Sequence, residues 1–85
     1  MHYTYIVECS DGSLYTGYTT DIERRLQEHN QQQGAKYTRG RAPVTLKYSE
    51  GFSSRSRAMQ REYQVKQLSR EDKLELIKGS SRSPR

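Results

Sequence analysis

The sequence predicts a small α/β domain of the α+β type, in which helices flank a three-stranded antiparallel sheet in the order ββα(α)βαα. Two alternating aromatic and β-branched segments around an Asp-Gly turn indicate a hairpin, and helical spacing of apolar residues recurs in three later segments. The length of 85 residues allows one domain. We assign residues 1–79 to it and expect residues 80–85, a basic tail, to be disordered.

The first two strands are predicted at residues 2–9 and 13–18. A two-residue loop between them would pair Tyr5 with the tyrosine that follows Gly17, whereas a three-residue loop with Gly12 in a left-handed conformation would pair Tyr5 with Gly17 itself. We favour the second register, because it gathers the aromatic residues on one face. It also leaves a hollow beside Tyr5, where glycine has no side chain.

A first helix is predicted to begin after Thr20, with Glu23 completing a capping box, and to run to about residue 31. Helical spacing places Arg25 on the border of the inner stripe, pointing toward the sheet. The stripe itself consists of Ile22, Leu26 and His29.

Residues 34–43 form a basic loop or a short helical turn, and alternation from residue 44 predicts a third strand that ends near residue 52. A second helix, capped by one of two serines at 53 and 54, ends near residue 68. Its inner stripe includes Glu62, whose carboxylate should face the body of the protein. Ser69 and Asp72 resemble a capping pair for a last helix that ends at Gly79.

Composition excludes several classes of protein. No apolar run approaches the roughly 20 residues of a membrane helix, and the N-terminus does not resemble a signal peptide. Cys9 is the one cysteine, so an internal disulfide is excluded, and we interpret it as a strand residue rather than a nucleophile. We expect a cytoplasmic protein without a membrane association.

Positive charge is concentrated in residues 36–66, where eight basic residues stand against two acids and give a net charge of +6. Basic and aromatic residues alternate with small polar ones in the loop, which indicates binding to a polyanion such as nucleic acid. A solvated loop is the alternative. The candidate DNA-binding residues are Lys36, Tyr37, Arg39 and Arg41.

The candidate site residues have the order and spacing of a known family. Tyr5 is followed by Tyr15-Thr16-Gly17, then Arg25 eight residues on, His29 four later, and Glu62 on a downstream helix. Together with the stretches LYTGYTTDIERRLQEHN, GAKYTRGRAPV and REYQVKQLSR, this pattern resembles the GIY-YIG endonuclease superfamily, and most closely its small stand-alone single-domain bacterial members. The resemblance covers residues 3–78.

The resemblance implies a metal-dependent endonuclease that hydrolyses DNA phosphodiester bonds. Because so small a basic face can hold only a short stretch of backbone, we expect single-stranded, branched or damaged DNA to be preferred. Tyr5, more than Tyr15, would act as general base on water, or both would position it, and Gly17 would keep the hollow open. Arg25 would bind the scissile phosphate, and His29 would orient water or relay a proton. Glu62 would be the single protein ligand of Mg²⁺ or Mn²⁺.

The resemblance is incomplete in two places. Only the tyrosines and the final glycine of the two name-giving motifs are retained, and Asn30 is the chain's one asparagine, whereas many relatives carry an asparagine late in the domain. Larger relatives also carry a separate DNA-binding domain, so weak DNA affinity or dependence on a protein partner is implied here. DNA repair, recombination and defence against foreign DNA are all compatible with such an enzyme.

Each of these residues also has a purely structural interpretation. Arg25 could pair with Glu28 or Asp21, His29 could favour the helix C-terminal dipole, and the acid on the second helix could pair with a neighbouring cation. The second functional hypothesis is a non-catalytic nucleic-acid-binding module that keeps the nuclease fold.

Overall fold

A three-stranded antiparallel sheet with the order β2-β1-β3 forms the centre of the molecule. The computed structural model describes the backbone of residues 1–82 and the side chains of residues 1–79. The strands are β1 (His2–Glu8), β2 (Leu14–Thr19) and β3 (Thr45–Phe52). The helices are α1 (Ile22–Asn30), α2 (Arg55–Lys66) and α3 (Arg70–Arg82), with a 3-10 turn at Lys36–Thr38. The predicted fold class and element order are confirmed.

The hairpin has the register that places Gly17 beside Tyr5. Tyr5 pairs with Gly17 and Val7 pairs with Tyr15, as the three-residue loop predicts. Gly12 adopts a φ of 86°, a left-handed conformation that glycine reaches without the steric cost of a side chain. The turn therefore fixes which residues share the face of the sheet that α1 covers.

The two faces of the sheet carry separate apolar clusters. On one face, Ile22 and Leu26 of α1 pack against a buried cluster of Tyr5, Val7, Cys9 and Val44. On the other face, α2 and α3 contribute to a cluster of Ile6, Tyr48, Val65, Leu68, Leu76 and Ile77. Cys9 is only 4% exposed and lies directly after β1, which agrees with a packing role.

The predicted cap of α1 is wrong by one residue. Asp21, not Thr20, is the N-cap, and its carboxylate accepts a hydrogen bond of 3.1 Å from the backbone N–H of Arg24. The reason is that β2 continues through Thr19, whose hydroxyl accepts from the backbone N–H of Asp21 at 3.1 Å. Glu23 consequently falls one position too early to complete a capping box.

The caps of α2 and α3 follow the prediction at their N-termini. Ser54 caps α2, and the hydroxyl of Ser69 accepts from the backbone N–H of Asp72 at 3.1 Å. However, α3 continues through Gly79 to Arg82, three residues beyond its predicted end. The helix therefore includes residues 80–82, the first part of the predicted tail. Residues 83–85 lie outside the described residues. Within residues 1–82, no helix combines the length and apolarity that a membrane span requires.

Candidate active site

Gly17 allows a phenol to approach the backbone of β2. A Cβ atom at this position would lie 2.5 Å from the Tyr5 Oη atom, 2.7 Å from its Cζ atom and 3.0 Å from Tyr15 Cε2. No side chain larger than hydrogen fits at such distances. The predicted hollow therefore exists, and the Tyr5 hydroxyl fills the space that a side chain would occupy.

His29 lies behind this phenol and is fully buried. Its Nε2 atom is 2.9 Å from the Tyr5 Oη atom, and the two rings meet edge to face with centroids 6.0 Å apart. The Tyr15 ring contacts the same imidazole with a centroid distance of 5.5 Å. Three of the predicted site residues, Tyr5, Tyr15 and His29, are thus in direct contact. The role of His29 is therefore not limited to a favourable interaction with the dipole at the helix C-terminus.

Thr38 determines which nitrogen of His29 carries the proton. Its hydroxyl donates to the carbonyl oxygen of Ala35 at 2.9 Å, and its Oγ1 atom is also 2.7 Å from His29 Nδ1. Because a hydroxyl has one proton to give, Thr38 Oγ1 must accept from the imidazole. We assign the neutral ring as the Nδ1–H tautomer, which leaves Nε2 to accept from the Tyr5 hydroxyl.

The electrostatics of the site match this direction of proton donation. Burial raises the pKa of Tyr5 to about 12, against the lowering effect of the Arg25 guanidinium. Burial also lowers the pKa of His29, and the positive charge of Arg25 lowers it further while Glu28 opposes. At neutral pH, Tyr5 is therefore a protonated donor and His29 a neutral acceptor.

Arg25 borders the site as helical spacing predicted. Its Nη1 atom donates to the Glu28 carboxylate at 2.9 Å, which is one of the two ion pairs that the sequence left open. The side chain is 29% exposed. The guanidinium lies close enough to the Tyr5 phenol to oppose the rise in its pKa, and part of the side chain remains accessible to solvent.

Glu62 faces the body of the protein, as the spacing on α2 predicted. Its side chain is only 14% exposed, and it pairs with Lys66 at 3.2 Å. Its negative charge contributes to the raised pKa of Tyr5, behind burial and the other neighbouring groups. The carboxylate is therefore close enough to the Tyr5 phenol for their charges to interact.

The donor set fits a hard cation that keeps most of its water. Among the described residues, no group of three or more His, Cys, Asp or Glu side chains could hold a metal ion together. Mg²⁺ binds through one or two carboxylates and completes its shell with water and substrate phosphate oxygens. Glu62 can supply the one carboxylate that such a cation needs. In the absence of a metal, the ammonium group of Lys66 balances the negative charge of Glu62.

The basic loop reaches the site through Tyr37. The ring of this exposed tyrosine stacks on Tyr15 with centroids 5.7 Å apart and an interplanar angle of 26°. Arg41 lies 4.6 Å from the Tyr37 ring centroid and pairs with Asp11 at 2.8 Å. The charge of Arg41 is thus partly neutralised. The other two candidate DNA-binding residues, Lys36 and Arg39, are exposed beside Tyr37.

Sequence reasoning missed two residues that shape the site. Thr38 is fully buried against His29, and a Cβ atom on Gly34 would collide with the imidazole Nδ1 atom. The sequence features that could have indicated them are a threonine at the end of the 3-10 turn and a glycine shortly before the turn. Asn30 supports the loop instead of the site, since its Oδ1 atom accepts from the backbone N–H of Val44 at 2.6 Å.

Comparison with known proteins identifies the family. The family model of the GIY-YIG catalytic domain matches residues 1–75. A UPF0213 protein of Halobacterium salinarum is 64% identical over 73 residues, covering 86% of this chain and 95% of that relative. A UPF0213 protein of Staphylococcus haemolyticus is 59% identical over 76 residues, covering 89% and 93%.

Two solved structures are similar in fold. The solution NMR structure of a UPF0213 protein from Bacillus halodurans shares 55% identity and a TM-score of 0.59, covering 91% of this chain and 82% of that one. The solution NMR structure of a protein from E. faecalis shares 45% identity and a TM-score of 0.66, covering 99% and 90%. The chain therefore belongs to the GIY-YIG nuclease family, with small UPF0213 proteins among its close relatives.

Proposed function

We propose that this protein is a metal-dependent endonuclease that hydrolyses phosphodiester bonds in single-stranded or branched DNA. The observation that carries the proposal is the hydrogen-bonded series from Tyr5 through His29 to Thr38, beside Arg25 and Glu62. A buried phenol that donates to a neutral imidazole has a route for a proton taken from water. The single cysteine is compatible with a reducing cytoplasm.

Proton transfer can run along this series. Tyr5 gives its hydroxyl proton to His29 Nε2 as its oxygen takes a proton from the attacking water. The proton lost by water thus ends on the imidazole, and the Tyr5 hydroxyl is restored. His29 keeps its Nδ1–H bond to Thr38 throughout, so the ring stays oriented while it becomes positively charged.

Charge stabilisation comes from the two sides of the hollow. The hydroxide forms a bond to phosphorus, one ester P–O bond breaks, and the leaving oxygen carries negative charge. Arg25 faces the non-bridging oxygens with a forked donor set. Glu62 would hold a divalent cation, which supplies Lewis-acid stabilisation of charge on the phosphate when bound.

DNA would be held mainly through its backbone. Lys36 and Arg39 are exposed on the loop beside the stacked Tyr37, and an exposed aromatic ring suits an unpaired base. Arg41 packs against that ring, and its positive charge is partly neutralised by the ion pair with Asp11. So small a surface contacts few nucleotides, which favours single-stranded or branched substrates over extended duplex readout.

The proposal is tested with end-labelled single-stranded, duplex and forked oligonucleotides in Mg²⁺, in Mn²⁺ and in chelator. We expect cutting that needs the metal. Glu62→Gln should abolish it and leave DNA affinity within a few-fold of wild type, because the charge removed holds metal rather than DNA. Glu75→Gln, on the exposed side of α3, is the matched control and should cut normally.

Two outcomes would count against this function. Cutting that survives Glu62→Gln would remove the metal-ligand assignment. Salt-sensitive DNA binding without cutting of any substrate would favour the non-catalytic binding module, in which Arg39→Ala weakens binding and nothing else changes.

A further inference from the structure

A small cleft is lined by Tyr37, the same ring that stacks on Tyr15 of the candidate active site. It has a volume of about 190 Å³ and is lined by Ser13, Leu14, Tyr37, Arg70 and Lys73. These residues come from the hairpin, the 3-10 turn and the first turns of α3. Two cations of α3 and the hydroxyls of Ser13 and Tyr37 therefore surround one small space. The Ser13 hydroxyl donates to Asp11 at 2.6 Å, but Asp11 itself pairs with Arg41 and does not line the cleft.

The charges of α3 are sorted between its two sides. Its acids Glu71, Asp72 and Glu75 line a different cleft, together with Leu74, Ile77 and Lys78. Residues one or two positions apart on a helix do not face each other, so these acids do not neutralise Arg70 and Lys73. The cleft beside Tyr37 consequently keeps a net positive charge.

Neither cation of the cleft has an evident role in folding. Within the side chains that the structure describes, Arg70 and Lys73 form no ion pair, although Lys73 is half-buried. Arg70 is the first residue of α3, where the helix dipole disfavours a positive charge. A half-buried ammonium and an arginine at a helix N-terminus both gain stability from an anion placed between them.

The position of the cleft indicates which anion. Tyr37 lines it and also stacks on Tyr15, whose ring contacts His29. A strand whose phosphate lies beside Arg25 can therefore pass over Tyr37 toward the two α3 cations. Resting on the proposed function, we propose that Arg70 and Lys73 bind a phosphate that flanks the scissile one in the DNA strand.

The test measures binding of a fluorescent single-stranded oligonucleotide in chelator, at several salt concentrations, with the full chain. The variant Arg70→Gln/Lys73→Gln should raise the Kd about tenfold near 0.1 M salt. It should also lower the slope of log Kd against log salt by roughly 0.7, the contribution of one phosphate contact on a single strand.

The matched control is Arg57→Gln/Lys78→Gln, which removes the same charge from elsewhere on α2 and α3 and should change the Kd less than twofold. Equal weakening of binding in both double variants would overturn the subsite, because the loss of affinity would then reflect only the net charge of the protein. Competition by a polyglutamate peptide as effective as unlabelled oligonucleotide would overturn it too. Binding in chelator is measured without any cutting, so the two proposals can fail separately. A protein that cuts no substrate in metal, but whose two double variants still differ in Kd, would refute the proposed hydrolysis and retain the subsite.

Discussion

Replacing Tyr5 by Phe should lower the rate of DNA cleavage between about one hundredfold and ten thousandfold, the range that general acid–base groups contribute. The change removes one oxygen atom, so Gly17 still has its space and the ring still packs. What disappears is the donor to His29 Nε2 at 2.9 Å. Single-turnover cleavage at saturating enzyme measures the loss, and oligonucleotide affinity in chelator should stay within a few-fold of wild type.

Tyr48→Phe is the matched control for this variant. Tyr48 is also a buried strand tyrosine, and its hydroxyl donates to Glu50 on the opposite face of the sheet. Loss of that hydrogen bond should cost about 1 kcal/mol of stability without slowing cleavage. If Tyr5→Phe cut as fast as Tyr48→Phe, the phenol would not be the base.

Gly17→Ala should damage both stability and activity. The added methyl group would lie 2.5 Å from the Tyr5 Oη atom and 2.7 Å from Cζ, so the phenol must move away from His29. Overpacking of a buried site costs about 1–3 kcal/mol, which denaturant unfolding will detect. A displacement of about 1 Å in a catalytic group costs on the order of one hundredfold in rate, and we expect at least that loss.

Gly79→Ala provides the contrast, because a Cβ atom on Gly79 would meet nothing within 4 Å. Alanine inside α3 should stabilise the protein by about 0.5–1 kcal/mol and leave cleavage unchanged. Wild-type stability and activity in Gly17→Ala would mean that the phenol does not occupy the hollow.

The parts of the site that the sequence predicts depend on local periodicity. The left-handed Gly12 sets the hairpin register, and this register places Gly17 opposite Tyr5. Spacing on each helix then turns Arg25 and Glu62 toward the sheet. These relations need only the pleat of a strand and the pitch of a helix, so one sequence is enough to derive them.

The parts that the sequence does not predict depend on how distant segments meet. Thr38 reaches His29 only because the loop after α1 folds back over the helix, and nothing in its local pattern gives that path. The pairing of Arg41 with Asp11 joins residues 30 positions apart. The single-residue error at the α1 cap has a local origin, because β2 continues through Thr19 and the helix is capped by Asp21 instead of Thr20.

Donation by Tyr5 to a neutral His29 is tested most directly by ¹⁵N NMR of the His29 imidazole as a function of pH. Burial and Arg25 lower the pKa of His29 below its ordinary value of about 6.5, so the ring should be neutral at pH 7 and gain its proton only in more acidic solution. The neutral form should show a protonated Nδ1 and a bare Nε2. A protonated Nε2, or a pKa at or above about 6.5, would contradict the proposed proton route.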